Sequence, residues 1–135
     1  MSTPTIHARS EWTSRAARSV TRLSCPSIRV VDIHWPARAG MIPRDLDSIK
    51  RALVSWQRYH MDTQGWRDIA YNVAVDLNGD VWELRGWDMQ DGGGAGRSDD
   101  VTILLVMGDK DAMTDAMKRS VLWAMGEFER RKGAA

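Results

Sequence analysis

The sequence is short of several things, and each shortage excludes a class of protein. One cysteine in 135 residues leaves no internal disulfide framework. Cys25, just before Pro26, reads as a packed thiol of the kind a reducing compartment preserves. Charge of one sign is lacking as well: 19 Lys and Arg face 18 Asp and Glu, and no long single-sign run occurs, so nucleic acid is not an expected partner. No apolar run is long enough to cross a bilayer, and the N-terminus has no apolar core of secretory length. The expectation is therefore a soluble protein with no signal peptide and no membrane partner. The length suits one domain, 1–135. Phenylalanine is nearly absent, one residue against seven tryptophans. Indole combines a broad apolar face with a single donor and suits half-exposed grooves, and Trp35 and Trp87 are the candidates because each follows a predicted strand end.

Residues 1–27, broken by Pro4 and Pro26, read as an irregular arm over the domain surface. "SIRVVDIHW" is rich in β-branched residues and reads as a buried strand whose period of two sets Val30, Asp32 and His34 on one face. "ARAGMIPRDL" is a loop. From Asp45, Leu46, Ile49, Leu53 and Trp56 recur at helical spacing, with His60 next on the same stripe. His60 is accordingly expected at the core edge, hydrogen-bonded to backbone. Gly65 ends that helix.

"IAYNVAVDLNGDVWELRGW" reads as a hairpin, with Asn78-Gly79 supplying positive φ to a two-residue turn. Asp76, Asn78 and Asp80 mimic the start of a calcium loop, but Val81 stands where glycine is needed and Trp87 where glutamate is needed, so the segment is read as a turn. "QDGGGAGRSDD" is a glycine loop, and a strand follows it, "VTILLVM", where a phosphate cradle would require a helix. That unalternating strand is expected inside the sheet, covered on both faces. Thr114 caps a last helix whose apolar stripe is Met117, Val121, Ala124, Met125 and Phe128.

The order of these pieces resembles the zinc-dependent N-acetylmuramoyl-L-alanine amidases (amidase type 2), which share a fold with peptidoglycan recognition proteins and T7-type phage lysozyme. "HARSEWTSR" is similar to the family's opening Arg-x-x-Trp segment and "VVDIHWPA" to its first metal-binding strand. "QRYHMDTQGWRDIAYNVAVDLNGDVWELRGWD" is similar to its long signature, with "GWRDIAYNV" the most specific phrase. The resemblance implies an α/β fold, a central mixed β-sheet flanked by helices, and an actinobacterial phage or prophage origin with a cytoplasmic or virion-associated location. It places His34 at the first zinc ligand and Tyr71 at the tyrosine that assists the reacting carbonyl or its water. A catalytic zinc needs three protein ligands and one open position for water, and a nearby phenol can stabilise the oxyanion.

The departures concern that metal. The family's second and third ligands come from a segment after the last helix. Here no histidine follows His60, the only cysteine precedes His34, and Gly93 and Ser98 stand roughly where the family has a histidine and an asparagine. Asp32 and His34 point the same way about 7 Å apart by strand geometry, awkward for sharing one ion. His7 and His60 are partners only if the fold brings them in. The expectation is a catalytically deficient amidase-like domain without zinc, unless ligands come from elsewhere. It would bind peptidoglycan or muropeptide through His34, Trp35, Tyr71, Arg85, Trp87 and Arg97. Two alternatives stay open: an active zinc amidase completed by a partner or by substitute ligands such as Cys25, and a phage structural or regulatory interaction module. An apolar face uncovered by the missing segment would favour a homodimer or a protein partner, since apolar area left in water costs about 25 cal/mol per Å².

Overall fold

The computed structural model describes residues 2–22, 30–36, 38–89 and 100–132. Cys25, Gly93, Arg97 and Ser98 lie outside the described residues. Five strands form one mixed sheet: β1 (Ile6–His7), β2 (Val30–His34), β3 (Val73–Asp76), β4 (Val81–Glu83) and β5 (Asp100–Val106), in the order β1-β4-β3-β5-β2. Only the β3–β4 pair is antiparallel. Helix α1 (Leu46–Arg58) covers one face and α2 (Asp115–Lys132) the other.

The unalternating run in β5 finds its explanation in this sandwich. Val101, Ile103 and Leu105 pack towards Met117, Val121, Ala124 and Phe128 of α2. Leu104 and Val106 pack towards Ile49 and Leu53 of α1. Every residue of β5 is buried, as an interior parallel strand requires. Both helix caps fall where the sequence places them. Asp45 accepts from the Ser48 N–H, and Thr114 Oγ1 accepts from the Met117 N–H while donating to the Leu77 carbonyl.

Four readings are corrected. β2 is an edge strand and not a buried one: Ile33 is 49% exposed and Trp35, just beyond it, 54%. The N-terminal arm is not wholly irregular, for Ile6 and His7 pair in parallel with Val81 and Trp82, and Trp12 is buried with its indole N–H on the Glu83 carbonyl. A two-residue strand carries no periodicity and leaves no sequence signal. The stripe of α1 is rotated, so that Leu46 is exposed while Ala52 and Gln57 are buried. The hairpin turn holds three residues, not two. Asp76 N–H bonds Asp80 O across Leu77–Gly79, and only Gly79 takes a positive φ, 85°. The backbone of Ala116 lies so close to Gly79 that a Cβ there would meet its carbonyl oxygen at 2.9 Å. The Asp76 carboxylate is engaged by the Asn78 and Asp80 N–H groups and the Trp82 indole.

Candidate functional site

The site is built by the segment between α1 and β3. After Arg58 the helix widens into one π turn, Tyr59–Thr63, and Gly65 at φ 73° lets the chain reverse. The returning chain is stitched back: Trp66 N–H donates to the His60 carbonyl, and Ala70 N–H donates to His60 Nδ1 at 3.0 Å.

Two buried anchors flank Tyr71. Asp68, 1% exposed, accepts from both terminal nitrogens of Arg9, from Gln57 Nε2 and from the Ile69 N–H. Such saturation is what a carboxylate needs to remain charged in the interior. Asn72 donates to the carbonyls of Gly86 and Met89 and accepts from the Thr102 N–H, tying the segment to β5. The backbone on either side of Tyr71 is thus fixed by hydrogen bonds from four parts of the chain.

The result is a cavity of about 490 Å³ lined by Asp32, Ile33, His34, His60, Trp66, Ala70, Tyr71 and Thr102. His34 lies 4.9 Å from Tyr71 between ring centroids, His60 lies 5.5 Å from Tyr71 in edge contact, and Trp66 stands 4.9 Å from His60. Desolvation disfavours the charged form of both imidazoles. The His34 pKa is lowered by desolvation alone. The His60 pKa falls to about 4, chiefly through burial and further through the charges of Arg85 and His34. Since Nδ1 of His60 accepts from Ala70, its one proton sits on Nε2. Burial likewise pushes Tyr71 up to about 12, so its phenol is a hydroxyl donor. Among the described residues nothing bonds the Tyr71 hydroxyl or His60 Nε2, although both side chains are more than nine-tenths buried. Polar groups left open in a cavity wall are groups available to a ligand.

A catalytic zinc does not fit the described donor set. Among the described residues no group of three or more His, Cys, Asp or Glu side chains is arranged so that it could hold a metal ion. His60 has one ring nitrogen already committed, and His7 is remote on β1, held by Glu11 and Asp80.

The other residues singled out in the sequence are placed variously. Trp35 stands exposed one residue beyond His34. Arg85 does not line the cavity with His34. Its Nε donates to the Ile69 carbonyl, and it lines a smaller cavity of about 210 Å³ with Arg9 and Asp68. Trp87 is no groove residue: it is 6% exposed, packed edge-on to Trp123 and against Phe128, with its N–H on Glu83. The end of α2 reaches back over that position, which the strand pattern alone does not reveal. His60 is bonded to backbone as expected and faces the cavity as well. Trp66 and Thr102 join the cavity without having been singled out. Trp66 sits inside the most specific phrase of the signature, a signal that was available; Thr102 had none.

No family model matches the sequence. Peptidoglycan-recognition protein SC2 of Drosophila simulans is 38% identical over 85 residues, covering 63% of this chain and 45% of that protein. Human N-acetylmuramoyl-L-alanine amidase is 34% identical over 84 residues, 62% of this chain and 15% of the relative. The chain thus spans less than half the length of these curated relatives. The solved structure of bumblebee PGRP-SA superposes with a TM-score of 0.81 at 28% identity, covering 96% of this chain and 77% of that one.

Proposed function

We infer that the chain belongs to the family of N-acetylmuramoyl-L-alanine amidases and peptidoglycan recognition proteins, to which it is similar in sequence and fold, and that it binds a peptidoglycan fragment, a muropeptide, in the cavity of His34, His60 and Tyr71 without cleaving it. The observation that carries this reading is the pair of donors, His60 Nε2–H and the Tyr71 hydroxyl, on two buried residues that line one cavity, neither with a partner among the described residues. A muropeptide is dense in amide carbonyls, and each could accept one of these donors. Trp66 offers an apolar flank for the peptide's aliphatic carbons. The volume lies within the ordinary range for a small-ligand site, about 300–1,000 Å³. Binding without cleavage is favoured because the described residues offer His34 no second and third ligand. An actinobacterial phage or prophage source remains part of the reading and rests on the motifs alone.

Calorimetric titration with a disaccharide muropeptide tests the proposal, run beside an assay for released stem peptide in the presence of zinc. Saturable binding without release is expected. Stem-peptide release that disappears in His34→Ala would replace recognition by amide hydrolysis, and failure to bind would remove the reading altogether.

A further inference from the structure

A second concavity lies away from that cavity, between the loop after β2 and the flank of α1. It has a volume of about 500 Å³ and is lined by Arg38, Ile42, Ser48, Arg51, Ser55 and Trp56, with Pro43 and Ala52. Its wall is held firmly. Asp109 accepts from the Gly40 N–H, Asp111 accepts from the N–H groups of Ile42 and Gly108, and Arg38 O accepts from the Asp109 N–H. Gly108 presses so closely on Gly40 that no side chain would fit there.

The two guanidiniums of this groove, Arg38 and Arg51, form no ion pair with its carboxylates among the described residues. Asp109 and Asp111 are bound to backbone amides, and Asp45 caps α1 while also lying within electrostatic reach of Arg51. Arg38 makes no side-chain hydrogen bond or ion pair among the described residues, and Arg51 bonds only the Ser48 hydroxyl. Trp56 is half-buried, packed on the α1 core while it lines the groove. Two guanidiniums with no carboxylate hydrogen-bonded to them present forked donors suited to an oxyanion. Two serine hydroxyls and an indole beside them suit a ring that is hydroxylated at its rim and apolar on its face.

We propose that this groove is a binding site for an anionic saccharide, with Arg38 and Arg51 taking the oxyanion and Trp56 the sugar ring. It goes beyond the muropeptide reading and does not depend on it. The oxyanion can be a phosphate or a carboxylate, and the probes separate the two. The full chain, labelled for NMR, is titrated with N-acetylglucosamine 6-phosphate, with N-acetylmuramic acid and with neutral N-acetylglucosamine. The expected result is a saturable shift of the Trp56 indole N–H with one or both anionic sugars and none with the neutral one. Affinity is expected to fall about tenfold in the Arg38→Gln, Arg51→Gln double variant and to weaken as salt is raised from about 0.05 to 0.5 M. Response to the phosphate sugar alone or to the carboxylate sugar alone names the oxyanion. Equal response to the neutral sugar, an unchanged affinity in the double variant, or no shift with any probe overturns the proposal. Tyr71→Phe, which alters only the other cavity, is expected to leave the Trp56 titration unchanged, so the two readings fail separately.

Discussion

Two buried histidines sit in this fold under opposite arrangements. On β1, His7 is 8% exposed and both ring nitrogens face carboxylates, Nδ1 with Glu11 at 3.1 Å and Nε2 with Asp80 at 2.8 Å, while the ring stacks on Trp82 at 3.9 Å. In the cavity, His60 is equally buried, yet one nitrogen takes a backbone N–H and the other is open. Burial pulls the His7 pKa down, but Asp80 and then Glu11 outweigh it, so the group stands above its ordinary value of 6.5 and its charged form is favoured. His60 has no carboxylate bonded to it and is neutral. A fully satisfied polar side chain is structural adhesive, here joining the N-terminal strand to the hairpin turn. A half-satisfied one has kept capacity for something outside the protein.

The largest break is His7→Ala. It removes two hydrogen bonds to carboxylates and the stacking on Trp82, and leaves Asp80 without its imidazole partner, so denaturant unfolding should show a loss of roughly 3 kcal/mol. Muropeptide affinity should be unchanged, because His7 is not in the cavity wall. A loss of binding larger than the loss of stability would show that the two regions are not separable.

Tyr71→Phe should behave in the reverse way. With no protein partner for its hydroxyl to lose, the thermal midpoint should move little, whereas muropeptide affinity should fall about tenfold, roughly 1.4 kcal/mol for one hydrogen bond. Unaltered affinity in this variant would remove Tyr71 from the site. A smaller effect is expected from Asp80→Asn, which keeps the shape but deletes one charge beside His7. Stability should drop by about 1 kcal/mol, and an NMR titration should show the His7 pKa moving back towards its ordinary value.

The gentlest probe is pH. His60 binds its proton more readily unfolded than folded, so its contribution to stability is full above 6.5 and is lost as pH falls towards about 4. The raised pKa of His7 gives the opposite sign: its contribution is full below 6.5 and is lost as pH rises through the folded value. Stability should therefore decline on both sides of a maximum. In a variant carrying His7→Gln the alkaline decline should flatten, with the acid side retained. Muropeptide affinity should be level between about pH 5.5 and 8 as far as His60 is concerned, because that imidazole is already neutral throughout.

Much of the architecture could be read before any coordinates. The caps at Asp45 and Thr114, the interior strand at 101–106 and the reversal at Gly65 all follow from local preference and from which side chains tolerate water. His34 and Tyr71 could be named as site residues from the motifs, and they do meet in one cavity. The orientation of His60 could not be read in full. A period of 3.6 places it on the buried stripe, but the π turn that begins at Tyr59 changes the angular step just there, and its bond to Ala70 joins residues ten apart. Trp87 failed for a related reason. Following a strand end makes an indole available to a groove, and only the last turns of α2, some forty residues on, decide whether that face is covered.

What the sequence determined by itself was the inventory of elements and their ends, since each depends on contacts within a few residues: a side chain capping its own helix, a glycine reversing its own turn, an unbroken apolar run calling for cover on both faces. The tertiary structure alone decided which polar groups found partners. It brought His7 the Asp80 carboxylate, 73 residues away, beside the local one of Glu11, gave Asp68 the guanidinium of Arg9, and left the Tyr71 hydroxyl and His60 Nε2 without partners among the described residues on two residues that line one cavity. Local partners such as Glu11 for His7 can be offered by the sequence alone, but partners as remote as Asp80 for His7 and Arg9 for Asp68 are brought together only once the layers have packed.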